Sequence, residues 1–117
     1  MTYVSRGQFR LDEPSTVTFD ANGEATSYLG PNNAREYWNI AFISVTSTSS
    51  VLVPTVQFYR GSVVSSNFVT GTFSGTLDVD SHPNVVLRSG ERLYAHWTGG
   101  DVGATGTFRV EGTRVVV

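Results

Sequence analysis

Cysteine is absent from this 117-residue chain, lysine is absent as well, and there are only four prolines, two histidines and one methionine. Without cysteine there can be no disulfide, no thiolate metal site and no cysteine nucleophile. The fold must therefore be held by its core, and a chain of this length is large enough to bury one without staples, as a single domain spanning residues 1–117. Without lysine, all eight basic residues are arginine. A GC-rich genome, in which lysine codons are rare, accounts for this. So does a use of arginine in bidentate interface contacts. Charge of either sign is scarce: charged residues make up 15% of the chain and the net charge is −2. A nucleic-acid-binding surface normally shows clustered basic residues, so no nucleic-acid partner is expected. No apolar run approaches the roughly 18 residues of a membrane span, so no membrane partner is expected either. Met1-Thr2-Tyr3-Val4-Ser5-Arg6 contains no apolar segment of the kind found in secretion signals. The protein is expected to stay where it is made or to leave by another route such as lysis.

What the chain does contain is alternation. Hydrophobic residues reach 39%, with seven Phe, five Tyr and two Trp, enough to fill a sandwich interior. Apolar residues recur on alternate positions, and helical periodicity is hard to find. A first extended segment ends at Leu11 and is closed by Asp12-Glu13-Pro14. A second carries Val17 and Phe19 into Asp20-Ala21-Asn22-Gly23, which reads as a hairpin because Asn-Gly readily supplies positive φ. Trp38, Ile40 and Phe42 share one parity while Ile43 and Val45 hold the other, predicting a bulge or a strand covered on both faces. Leu52, Pro54, Val56 and Phe58 are predicted to face inward, with Pro54 marking an edge strand or a bulge. Ser74-Gly75 and Ser81-His82-Pro83 read as turns. Leu93, Ala95 and Trp97 share a core face, Phe108 and Val110 return to it, and Gly112 precedes a terminal strand with Val115 and Val117. About eight to ten short strands at regular spacing predict an all-β antiparallel β-sandwich. A jelly roll suits two four-stranded sheets, and an immunoglobulin-like sandwich is the alternative topology.

No catalytic constellation assembles from these residues. His96 has a parity that turns it away from the core, and His82 sits in a turn beside Pro83. Neither has a serine or an acid in a recognisable arrangement. Gly71-Thr72-Phe73-Ser74-Gly75 lacks the Gly-x-Ser-x-Gly spacing of a nucleophile elbow. Asp78, Asp80 and Asp101 offer oxygen ligands but no EF-hand pattern, so no metal and no cofactor are expected. The chain reads as a non-enzyme working through its surface. Arg92, Tyr94 and His96 form an outward stripe, the best contact candidate. Tyr28, Tyr37, Tyr59 and Tyr94 are candidates for a sugar-stacking platform, Asn32 and Asn33 for its loop contacts. The tail Arg114-Val115-Val116-Val117 would be a sticky edge if exposed, so Arg114, Val115 and Val117 are expected in the sheet or against a neighbouring subunit.

Four stretches resemble the small β-sandwich virion proteins of tailed bacteriophages that infect GC-rich actinobacteria. They are Phe73-Ser74-Gly75-Thr76-Leu77-Asp78, Leu87-Arg88-Ser89-Gly90-Glu91-Arg92-Leu93, Trp97-Thr98-Gly99-Gly100-Asp101-Val102-Gly103-Ala104 and Phe108-Arg109-Val110-Glu111-Gly112. The resemblance covers the C-terminal part of the chain and the remainder only in style, and its motifs are those of turns and strands. It implies a non-enzymatic structural role in the virion, as a capsid decoration protein or a minor tail, baseplate or fibre component. Its partners would be phage capsid or tail proteins and copies of itself, a homo-oligomer with a trimer favoured. The alternative is a carbohydrate-binding module that recognises a host-surface glycan.

Overall fold

Strand follows strand along almost the whole length, because β-branched and aromatic residues alternate with polar ones between glycine-rich turns. The computed structural model describes residues 6–72 and 78–117, with side chains for all of these except 71, 72 and 78–84. Among the described residues the eight strands are β1 (Gly7–Thr18), β2 (Ala25–Leu29), β3 (Glu36–Ser47), β4 (Thr55–Arg60), β5 (Phe68–Thr72), β6 (Asp78–Leu87), β7 (Leu93–Thr98) and β8 (Thr105–Val116). One short 3₁₀ turn, Ser65–Asn67, precedes β5.

The pairing is nested: β1 pairs with β8, β2 with β7, β3 with β6 and β4 with β5, all antiparallel. That is the pattern of one long hairpin rolled over on itself. Two further pairings, β3 with β8 and β4 with β7, knit it into sheets of order β1-β8-β3-β6 and β2-β7-β4-β5. This is the jelly-roll order, and it displaces the immunoglobulin-like alternative. Loops at residues 19–24, 48–54 and 99–104 gather at one end, tied by Phe19 N–H to Ala104 O (2.8 Å) and Gly100 N–H to Gly23 O (3.0 Å). We call this the far end. The loops at 30–35, 61–67 and 88–92 meet at the other, the base, joined by Gly90 N–H to Pro31 O (3.0 Å) and Gly61 N–H to Arg92 O (2.9 Å).

The core lies between the sheets. Trp97 and Phe58 from one sheet and Phe108 from the other are fully buried, as are Leu93 and Ala95. Phe58 meets Phe108 edge-on across the sandwich at 5.4 Å between ring centres, and Phe19 closes the far end against Trp97 at 5.7 Å. The parity switch in β3 is a bulge: Ile40 lies opposite Gly112 and Phe42 opposite Glu111, leaving Ala41 as the extra residue. Ile40 and Ile43 are thereby both buried and Phe42 is turned outward. Gly112 is required there, because a Cβ would run into the Asn39 carbonyl oxygen.

Several expectations are corrected. Asp12-Glu13-Pro14 does not end a strand; β1 runs through it, and Pro14 is tolerated because β1 is an edge strand whose missing N–H need face no partner. Asn22-Gly23 does turn the chain, with Gly23 at φ +71°, but it joins strands of opposite sheets. Pro54 lies just before β4, which is an interior strand, and Leu52 is exposed rather than inward. Residues 81–83 continue β6 along the other edge of its sheet. Between the pairs Ile40–Val85 and Phe42–Ser81, residues 82–84 form a bulge, where a proline costs no ladder bond. Gly112 interrupts nothing, since β8 is one strand of 12 residues. The Ser74-Gly75 turn lies outside the described residues.

Candidate interaction surfaces

The outer face of the sheet β2-β7-β4-β5 presents an aromatic row one strand apart. Tyr28 on β2 pairs with Tyr94 on β7, Tyr94 with Tyr59 on β4, and Tyr59 with Phe68 on β5. Strands spaced by about 4.8 Å set the rings side by side. Tyr28 and Tyr94 are 5.7 Å apart and tilted by 55°, and Tyr59 and Phe68 are 5.9 Å apart and nearly perpendicular. The Arg92 guanidinium lies 4.2 Å from the centre of the Tyr28 ring, a cation–π contact. Tyr28 and Phe68, at the two margins, are half exposed. Beside this row runs a polar one in which His96 has Thr26 on one side and Gln57 on the other. Thr26 Oγ1 and His96 Nδ1 share a hydrogen bond of 3.0 Å, and Tyr59 O–H donates to Gln57 Oε1 at 2.8 Å.

The stripe of Arg92, Tyr94 and His96 is therefore brought together on one outer face. Tyr28 and Tyr59 join it, while Tyr37 lies on the other sheet, paired with Val115. Phe68 was missed in the sequence, where its strand partner could not be read. The tail behaves differently. β8 is flanked by β1 and β3, so the apolar run is paired inside a sheet. Val115 is buried within the chain and offers no surface, and only Val117, beyond the strand, is exposed. Arg114 faces Glu36 at 3.7 Å and Phe9 at 5.1 Å. Glu36 is 5% exposed and also accepts hydrogen bonds from Trp38 Nε1 (2.8 Å) and Asn33 Nδ2 (3.1 Å). Asn33 is thus committed to the fold, a feature that no spacing in the sequence signals.

The two ends differ in charge. The base carries Arg6, Arg35, Arg60, Arg88, Arg92 and Arg114, with Glu36 and Glu91 as its acids. Glu91 accepts the Arg88 backbone N–H at 2.8 Å and Arg60 Nε at 3.2 Å. The Arg88 N–H foremost, and then Arg60, hold its carboxyl below the usual glutamate value. The far end carries no arginine but has Asp20, Glu24 and Asp101. Asp101 is a latch: its carboxylate accepts the backbone N–H groups of Ser50, Val51 and Leu52 at 2.8–2.9 Å. These bonds, that of Val51 first, hold it below the usual aspartate value. The latch fixes an apolar tip, with Val51 83%, Leu52 51%, Val53 68% and Val102 68% exposed. With both carboxylate oxygens so engaged, Asp101 is a loop anchor rather than a free metal ligand. Among the described residues no three acids or histidines gather as a metal site. The side chains of Asp78, Asp80 and His82 lie outside the described residues.

No protein-family model and no curated protein sequence matches the chain. Solved structures do. Against turnip yellow mosaic virus the chain aligns over 99% of its own length and 84% of the viral chain, at 11% identity and a TM-score of 0.53. A second structure of that virus, at 100 K, aligns over 97% of this chain and 94% of the viral one, at 15% identity and a TM-score of 0.49. At such identities the likeness is one of fold, and the first alignment carries it across nearly the whole chain.

Proposed function

We propose that this protein is a non-enzymatic structural component of a virus particle that works by assembling with copies of itself and with other virion proteins. The observation that carries the reading is the correspondence of 99% of the chain with a chain of turnip yellow mosaic virus. Two exposed apolar surfaces at the ends of the sandwich support it, since patches of this kind on a small folded domain are suited to burial against a partner. The residues of the base and far end serve as contacts, and the chain acts as one domain. On the finer scale the sequence resemblance favours a tailed actinobacteriophage and a capsid decoration or minor tail role, with a homotrimer as the assembly unit. Light scattering over a concentration series tests the reading. A stable oligomer is the expected result, and a monomer at every concentration would overturn self-assembly.

The aromatic row favours a second reading, recognition of a host-surface glycan. Ring faces suit the apolar faces of sugars, and the neighbouring Thr26, His96 and Gln57 supply hydrogen-bonding groups. Under this reading Tyr28→Ala and Tyr94→Ala abolish retention on a cell-wall polysaccharide column while leaving the melting temperature within a few degrees. Equal retention of both variants rules it out.

A further inference from the structure

A net charge of −2 conceals a molecule with two unlike ends. At the base, Arg35 and Arg88 are exposed, and so are Val63, Val64 and Phe68 of the same end, at 40%, 48% and 49%. At the far end, Glu24 and Asp20 are exposed, as are Val51, Leu52 and Val53 of the apolar tip. Each end thus combines exposed apolar groups with a net charge, positive at the base, where six arginines outweigh Glu36 and Glu91, and negative at the far end.

We propose that the base of one copy docks on the far end of the next, in a heterologous, head-to-tail contact. The occupant is a second copy of this chain because the chain itself carries the complement: arginine with apolar groups at one end, carboxylates with apolar groups at the other. Like ends repel, which disfavours a two-fold contact of base with base or tip with tip. A heterologous contact closes into a ring when its rotation closes and otherwise grows as an open filament. Opposite charge steers the encounter and fixes its direction, and burial of the apolar residues holds it. The Asp101 latch keeps the tip in one shape before contact, so little ordering accompanies docking. The proposal rests on the assembly reading above and specifies its geometry.

The test is a pair of charge-reversed variants measured by light scattering and sedimentation. One carries Arg35→Glu and Arg88→Glu at the base, and the other Glu24→Arg and Ser50→Arg at the far end; all four residues are exposed. The wild-type protein is expected to associate at low salt, with its dissociation constant rising at least about tenfold as screening increases. Each variant alone should associate at least about tenfold more weakly than wild type, since its altered end then has no net charge: four positive against four negative groups at the base, or two against two at the far end. An equimolar mixture should associate again, because the unaltered base of the second variant meets the unaltered far end of the first, a junction as complementary as that of wild type. Wild-type association that strengthens with salt, or a mixture that stays monomeric while wild type associates, overturns the head-to-tail contact and leaves the assembly reading intact. A wild-type protein that is monomeric at all salts and concentrations overturns both. Circular dichroism melts confirm that each variant is folded.

Discussion

Trp97 has its place because one residue opposite it is small. Gly106 faces the indole from the other sheet, and a Cβ built there would lie 2.8 Å from the ring. Gly106→Ala should therefore overpack the core and lower stability by about 1–3 kcal/mol in chemical denaturation. Trp97→Ala, which empties the same space, should cost about 3–5 kcal/mol. Ser27 tests the opposite sign. It is buried, and its hydroxyl has no hydrogen-bond partner among the described residues. Replacing it by alanine removes a desolvated polar group from a small site, so Ser27→Ala should leave stability unchanged or raise it by about 1 kcal/mol. Trp97 was legible from its alternation with Leu93 and Ala95. Its glycine partner was not, because the two lie on strands brought face to face by the roll.

At the scale of elements, the loop at 48–54 depends on one carboxylate. Asp101 holds three of its backbone N–H groups, so Asp101→Asn should speed amide exchange at Ser50, Val51 and Leu52 more than elsewhere. The same bonds make the loop sensitive to acid. Because the folded-state pKa is lowered from the ordinary value of 3.8, the stabilisation is present above that value and is lost as pH falls through the folded-state value. Protection of these three amides relative to their intrinsic exchange rate should accordingly fall below about pH 4, and the Asn variant should show no such fall. Glu91, lowered in the same direction, adds to acid sensitivity at the base. Asp101 was visible in the sequence as an acid in a glycine-rich turn, a pattern equally suited to a metal ligand. The β3 bulge was more legible, since the change from Trp38 and Ile40 to Ile43 and Val45 requires one extra residue between two inward pairs. Pro14 and Pro83 were misread as stops because edge position, which makes a strand proline harmless, depends on which strands neighbour it.

The whole molecule shows that charge can be balanced in sum and separated in space. Six of its eight arginines collect at the base because β2, β4, β6 and β8 end there and β1, β3, β5 and β7 begin there. The apolar tip gives a prediction at this scale. Leu52→Ser with Val102→Ser leaves the core untouched, since both residues are exposed. It should shift self-association to at least about tenfold higher concentration in light scattering without lowering the melting temperature.

Alternation and turn chemistry along the chain determined that the protein is all-β, roughly how many strands it has, and which residues fill its core. These are local properties: a side chain's parity and a turn's backbone angles depend on a few neighbouring residues. The row from Tyr28 to Phe68, the buried Glu36 and its partners, the grip of Asp101 on a loop some fifty residues away and the unlike charge of the two ends were decided by tertiary structure alone. Apart from the local bonds of Asn33 and Trp38 to Glu36, each joins residues far apart in sequence, and the nested pairing of β1 with β8 through β4 with β5 is what sets them side by side.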